Sequence, residues 1–182
     1  MNKLNIILDN WKYFFLGDKK YFKIQLVKKR IILSDYKFSW NKKKNFIPVI
    51  SSSEFTNGVM GFTEKNIKDD LYPRNIITIS GYGSVGVSFF QPFDFYANNS
   101  ILTISLKNKK INHFLGLFLC SVLSLEKFRY SFGRALNLEN LLKVKIKLPI
   151  NEKGEPNWIY MENYCKNIFT VIKNDVLKLL KE

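Results

Sequence analysis

The stretch that most limits the fold runs from Ile76 to Leu106 and contains three short segments rich in β-branched and aromatic residues. These segments are 76–79, 85–90 and 101–106, and Gly, Pro and Asn residues separate them. Extended segments of this length with turn residues between them are typical of consecutive β-strands. The spacing therefore predicts a mainly antiparallel sheet in the middle of the chain.

A glycine pattern joins the first two of these segments. Gly81, Gly83 and Gly86 match G-x-G-x-x-G, which holds a pyrophosphate when it follows a strand and opens a helix. The residues that follow are β-branched or aromatic and lead to Pro92, so a helix cannot begin there. We therefore assign the glycines to a tight turn that uses positive φ angles, and not to a dinucleotide site.

The chain is strongly basic. It has 29 Lys and Arg residues against 15 Asp and Glu residues, which gives a net charge of +14. A coding bias towards Lys, Asn and Ile accounts for the preference for Lys over Arg, but it does not account for the shortage of acids. Such an excess on a folded domain indicates a polyanionic partner, with nucleic acid as the first candidate. The length of 182 residues with 46% hydrophobic residues predicts one domain with one appended helix.

The two cysteines and the lack of long apolar runs indicate the cellular compartment of the protein. Cys120 and Cys165 lie in segments with helical apolar spacing, so we expect buried, reduced thiols, as in the cytosol. The apolar run after Lys3 is interrupted at Asp9 and Asn10, and no segment approaches the roughly 20 apolar residues that span a bilayer. These features predict a soluble, cytoplasmic protein.

Two later segments have the spacing of helices. Residues 111–128 predict a buried helix, and from Trp158 onward apolar residues recur every three or four positions in a narrow stripe, as on a helix that pairs with another helix. The predicted partner-helix residues are Met161, Cys165, Ile168, Ile172, Val176 and Leu179. The aromatic residues of its first turn favour instead a helix that packs on the core of its own domain. Both alternatives are compatible if the start of the helix packs on that core and its end extends away to pair with another helix. We divide the chain into a main domain, 1–152, and a C-terminal helix, 153–182.

Candidate nucleic-acid contacts lie in the predicted loops. Lys42, Lys43 and Lys44 precede the predicted strand 46–50, and such a run is either a solvated loop or a phosphate contact. Polar residues 51–58 end in Asn-Gly, a strong hairpin signal, and their hydroxyls either reach DNA or bond to their own backbone. Arg74 lies in an exposed connection before the central strands.

Further candidates lie on the central stretch and after the first predicted helix. Tyr82 and Ser84 occupy the glycine turn, and the Gln91 amide has the geometry to pair with adenine; the alternatives are packing on the sheet for Tyr82 and capping of an edge for Gln91. Arg129 and Arg134 flank an aromatic loop that contains Tyr130. Their guanidinium groups either contact phosphate or guanine in DNA or stabilise the fold.

We predict no catalytic residue, metal site or cofactor in this chain. Asp18 begins a D-x-K sequence without a partner acid nearby, and His113 is the only histidine. A methyltransferase with its own active site needs an N/D-P-P-Y-type sequence, and the nearest string, which begins at Gln91, is not one.

Four blocks of sequence, in order, carry a resemblance to a known family. They are PVISSSEFTNGVMGF, ITISGYGSVGVSFFQPFDFYA, FRYSFGRALNLENLLKVKIKLP and GEPNWIYMENY. Together they resemble the target-recognition domain of specificity subunits of type I restriction-modification systems, and that of fused restriction-methylation enzymes. The resemblance implies an α+β fold with a twisted, mainly antiparallel sheet, packed helices and a long C-terminal helix of coiled-coil type.

The same resemblance implies a function and partners. The chain is expected to read a double-stranded DNA sequence for a separate methyltransferase subunit and a restriction subunit, which would use S-adenosylmethionine, Mg and ATP. In the family the C-terminal helix is a spacer between two recognition domains, so we expect a second domain from another copy or another specificity subunit. The alternatives are a small metal-dependent nuclease and a non-specific basic nucleic-acid-binding module.

Overall fold

The computed structural model describes residues 10–27, 37–65, 71–98, 100–130 and 135–180. These residues form ten strands and three helices. The strands are β1 (Trp11–Phe15), β2 (Phe22–Leu26), β3 (Phe38–Ser39), β4 (Phe46–Ile50), β5 (Val59–Glu64), β6 (Ile76–Ser80), β7 (Ser88–Gln91), β8 (Tyr96–Ala97), β9 (Ile101–Leu106) and β10 (Lys145–Pro149). The helices are α1 (His113–Ser124), α2 (Leu138–Leu142) and α3 (Trp158–Leu179), with short 3-10 turns at Thr56–Gly58 and Lys127–Tyr130.

The strands form three sheets. Their orders are β1-β10, β2-β9-β6-β7 and β3-β5-β4-β8, and every pairing is antiparallel except that of β4 with β8. The predicted α+β class with mainly antiparallel strands is confirmed. Residues 144–150 alternate apolar residues with lysines, which suggests a half-exposed strand that closes the central sheet; β10 instead pairs with the N-terminal strand β1, Trp11–Phe15, in a separate two-stranded sheet.

The central sheet contains all three segments that the Ile76–Leu106 stretch predicts. β6 lies between β9 and β7, with Ile77 opposite Ile104 on one side and Phe90 on the other. No helix follows the glycine pattern between β6 and β7. Gly83 and Gly86 have φ angles of 69° and 80°, so the assignment of these glycines to a turn is confirmed.

The main core lies between this sheet and the helices. Leu115 and Leu119 of α1 and Met161 of α3 are buried in one apolar cluster with residues of β6 and β9. Asn112 and Asn157 cap α1 and α3, each accepting a hydrogen bond from the first turn of its helix. Cys120 and Cys165 are not joined in a disulfide. Along the described residues, no helix combines the length and hydropathy that a membrane span requires.

We expect Gly116→Ala to destabilise the domain by about 1–3 kcal/mol, the usual cost of overpacking a core. Gly116 lies where α1 packs on β7, and an added methyl group would overlap the ring of Phe90. Urea denaturation of the two proteins measures the difference. Ser121→Ala, at an exposed position of the same helix, is the matched control and should change stability little. Equal stability of Gly116→Ala and wild type would contradict this packing.

Candidate nucleic-acid interface

The predicted contact residues of the central region lie at the two ends of β6. This strand has five residues and spans roughly 16 Å. Arg74 lies just before its start, and Tyr82 lies just after its end. The structure therefore divides these candidates between two groups of loops.

One group forms a basic cluster, which we define as Lys42, Lys43, Lys44, Arg74 and Phe93. The Lys42 Nζ lies 5.2 Å from the centre of the Phe93 ring. Arg74 donates to both carboxylate oxygens of Asp94, the residue after Phe93, at 3.1 and 3.2 Å. Because Phe93 and Asp94 are neighbours, the corner after β7 brings together lysines and an arginine that are about thirty residues apart in sequence.

Arg74 and the three lysines of the basic cluster differ in whether an acidic side chain pairs with them. Arg74 holds the pKa of the Asp94 carboxyl below its usual value through the side-chain hydrogen bonds, and the backbone amide of Arg74 adds a third bond at 2.9 Å. Within the described part of the chain, no acidic side chain pairs with Lys42, Lys43 or Lys44, and all three are exposed. These lysines therefore offer point charges to a polyanion, whereas Arg74 must exchange a partner to do so.

The other group of loops lies at the far end of β6. Tyr82 is exposed and Ser84 is half-buried. Gly86 of the same loop approaches Lys127 so closely that a Cβ would lie 3.2 Å from the Lys127 Cα. Lys127 in turn donates to Glu54 at 2.6 Å, so three loops meet at this end.

Arg129 and Tyr130 lie beside these loops. Arg129 pairs with Glu126 and lies 5.1 Å from the Phe128 ring centre. Tyr130 is half-buried, and burial raises the pKa of its hydroxyl. Both residues line an open cavity of about 930 Å³ together with Lys143 and Lys145. Arg134, the other predicted arginine, lies outside the described residues.

The prediction that Gln91 contacts a base is wrong. Its side chain is only 3% exposed, and the amide nitrogen donates to Thr78 Oγ1 at 2.9 Å and to the Asn57 carbonyl at 3.1 Å. Asn57 donates back to the Gln91 amide oxygen at 3.2 Å. Gln91 therefore has its hydrogen-bonding capacity used inside the protein, where it joins the loop after β4 to the central sheet.

The partner-helix prediction divides along α3. The prediction for Met161 is wrong, because this side chain is fully buried in the core of its own domain. Cys165 packs against the same core. Ile168 is half-buried in an apolar groove between α1 and α3. Ile172, Val176 and Leu179 are exposed on the last turns, so the outer half of the predicted stripe is uncovered in this structure.

Sequence reasoning missed three exposed aromatic side chains on the loops. Trp40 and Phe55 are each 77% exposed, and Phe93 is 57% exposed. The signal at Trp40 was its position two residues before Lys42, since aromatic residues interleaved with basic ones are typical of nucleic-acid surfaces. No local pattern marked Phe55, which stands in a polar turn.

A small α+β domain that presents lysines and exposed aromatic rings on its loops has the character of a nucleic-acid-binding protein. Comparison with known families defines it further. Residues 8–181 match the type I restriction modification DNA specificity domain, and the chain belongs to this family. It is thus a DNA-recognition domain of the restriction-modification class.

Individual relatives agree with this family. The "Type II restriction enzyme BgcI specificity subunit S.BcgI" of Heyndrickxia coagulans is 27% identical over 122 residues, which cover 67% of this chain and 35% of that protein. The fold resembles the type I S subunit of M. genitalium (TM-score 0.59, 12% identity, covering 94% of this chain and 43% of that one). It also resembles the HsdS subunit of Thermoanaerobacter tengcongensis (TM-score 0.57, 14% identity, 96% and 42%). The chain spans about a third of the curated relative's length and less than half of each solved structure's length.

Proposed function

We propose that this chain recognises a double-stranded DNA sequence and directs a separate methyltransferase subunit, and a restriction subunit where one is present, to that sequence. The observation that carries the proposal is the family match over nearly the whole chain. The chain itself performs no reaction in this proposal. S-adenosylmethionine, Mg and ATP belong to the partner subunits, and the place of action is the cytoplasm.

The basic cluster is the proposed phosphate-binding part of the DNA surface. Lys42, Lys43 and Lys44 are exposed and have no acidic partner among the described residues, so binding DNA releases counterions without first breaking an ion pair. Contacts of this kind fix the register of a protein on the duplex but carry no sequence information. Tyr82, Ser84, Arg129 and Tyr130 remain proposed contacts at the other end of β6, and Arg134, outside the described residues, also remains a proposed contact.

Pairing of α3 with the α3 of a second copy is the proposed route to a two-part target. The exposed apolar residues Ile172, Val176 and Leu179 follow the spacing of three and four residues that a helix pair requires. The solved relatives are more than twice as long as this chain, which leaves room in each for a second unit of similar size. Two copies of this chain would together supply two such units.

Mapping methylated adenines in a host genome tests the proposal. The host carries the methyltransferase gene, with or without the gene for this chain. We expect one sequence motif to lose its methylation when this gene is deleted and to regain it on complementation. An unchanged methylation pattern would contradict the proposal. Mg-dependent cleavage of DNA by the purified chain would favour the nuclease alternative, and equal binding of RNA and DNA would favour the non-specific module.

A further inference from the structure

The loop between β4 and β5, residues 51–58, holds an aromatic side chain in water at the tip of a fixed backbone. Phe55 is 77% exposed. The three residues after it, Thr56, Asn57 and Gly58, have φ angles of 52°, 57° and 77°. A β-branched residue such as threonine rarely adopts a positive φ, and residues held in such regions cluster at functional sites. The surrounding structure must therefore impose this conformation.

Hydrogen bonds from both sides hold the loop. Asn57 donates to the Phe90 carbonyl at 3.0 Å and exchanges hydrogen bonds with the buried Gln91. On the other side, Glu54 accepts from Lys127 at 2.6 Å. These anchors leave the Phe55 backbone with little freedom, so an exposed ring loses little conformational entropy when it meets a partner.

Three hydroxyl groups of the loop form hydrogen bonds within the protein. Ser53 Oγ accepts from the Phe55 amide at 3.1 Å, Thr56 Oγ1 donates to the Val59 carbonyl at 2.7 Å, and Ser52 Oγ lies 2.8 Å from Ser100 Oγ. These three hydroxyls therefore take part in holding the loop itself. What the tip offers to a partner is the apolar ring of Phe55.

The loop extends from the far end of β6, where Glu54 meets Lys127, to Gln91, which lies near the corner after β7 that holds the basic cluster. Its clamp residue, Gln91, precedes Phe93 by two positions, and Phe93 and Asp94 hold Lys42 and Arg74. A duplex that contacts both the lysines and the loops at the far end of β6 would therefore pass over this loop. On the edges of base pairs the apolar group is the 5-methyl of thymine, which phenylalanine can contact in the major groove.

We propose that Phe55 is a specificity-determining residue that contacts a thymine 5-methyl group in the DNA target, and that Gln91 and Asn57 are positioning residues for it. The proposal rests on the proposed function, because it requires a preferred duplex sequence. A protein partner is the other occupant that an exposed phenylalanine suits, and the experiment below separates the two.

The test uses uracil, which lacks the 5-methyl group. Selection from randomised duplexes with the full-length chain first defines the preferred sequence, and each thymine in it is then replaced by uracil. We expect one replacement to weaken binding by wild type about three- to fivefold, the effect of one buried methyl group. The same replacement should not weaken binding by Phe55→Ala. The matched control is Phe15→Ala, which removes an exposed phenylalanine from β1 and should retain the wild-type response.

The positioning residues have their own test. Asn57→Gly keeps the positive φ accessible but removes the side-chain amide. We expect it to reduce the response to uracil. Because the Asn57 side chain is exposed, water can take its place as donor to the Gln91 amide oxygen, so the melting temperature should stay within a few degrees of wild type. A Gln91 replacement is unsuitable, because it would leave buried polar groups without partners.

Each result has a definite meaning. Equal uracil responses in wild type and Phe55→Ala overturn the proposal while the proposed function stands. Loss of methyltransferase binding by Phe55→Ala, with unchanged uracil responses, overturns it in favour of a protein contact. A wild-type chain that enriches no duplex sequence overturns both the proposed function and this inference.

Discussion

Replacement of Lys42, Lys43 and Lys44 together by alanine should weaken DNA binding by about 500-fold in 0.1 M salt, if each lysine neutralises one phosphate. The three side chains are exposed and lack acidic partners among the described residues, so their removal should disturb the fold little. The slope of log affinity against log salt should fall in magnitude by about 2.7. Fluorescence anisotropy over a series of salt concentrations measures both quantities.

The control for this variant removes the same charge elsewhere. Lys166, Lys173 and Lys178 are exposed on α3, which belongs to neither group of loops, and their replacement by alanine should leave the salt slope close to that of wild type. Because phosphate contacts carry no sequence information, the loss in the first variant should be similar for target and random duplexes. Equal losses in the two triple variants would show that net charge, and not the basic cluster, determines affinity.

The double variant Ile172→Glu, Val176→Glu should reduce self-association at least about 100-fold. Each aliphatic side chain contributes about 1.5–3 kcal/mol when it is buried, and each copy of the chain would lose two. The introduced carboxylates would also face each other across the helix pair. Sedimentation velocity over a range of concentrations measures the association, and circular dichroism checks that the domain remains folded.

The same charges on the opposite side of α3 provide the control. Thr170 and Asn174 lie about 160–200° around the helix from Ile172, and both are exposed. The variant Thr170→Glu, Asn174→Glu should associate like wild type. A wild-type chain that is monomeric at all concentrations, or two variants that dissociate alike, would contradict helix pairing through this stripe.

The local elements of the fold were predictable because short-range chemistry determines them. β9 spans Ile101–Leu106 as predicted, since an apolar, β-branched run there lies between polar turns. Asparagine is a favoured helix N-cap, and the Asn137 side chain caps α2 by accepting from the Asn140 amide at 2.8 Å. The assignment of strands to sheets was not predictable in the same way, because the pairing of β1 with β10 joins residues more than a hundred positions apart.

The candidate site was harder to predict for two physical reasons. Gln91 occupies a strand that is covered by α1 and by the loop after β4, so alternation of apolar and polar residues cannot show which side chains are buried. The meeting of Lys42 with Phe93, and of Glu54 with Lys127, depends on tertiary structure alone. Phe55 was missed because its exposure follows from a loop conformation, not from a sequence pattern.

The order in which the chain visits its two larger sheets limits how such domains exchange parts. β3, β4 and β5 build one sheet, β6 and β7 build the other, β8 returns to the first and β9 to the second. A recombination crossover between β5 and β9 thus leaves a hybrid sheet whose neighbouring strands come from different parents. We therefore expect domains of this fold to exchange the segment from β2 to β9 as one block.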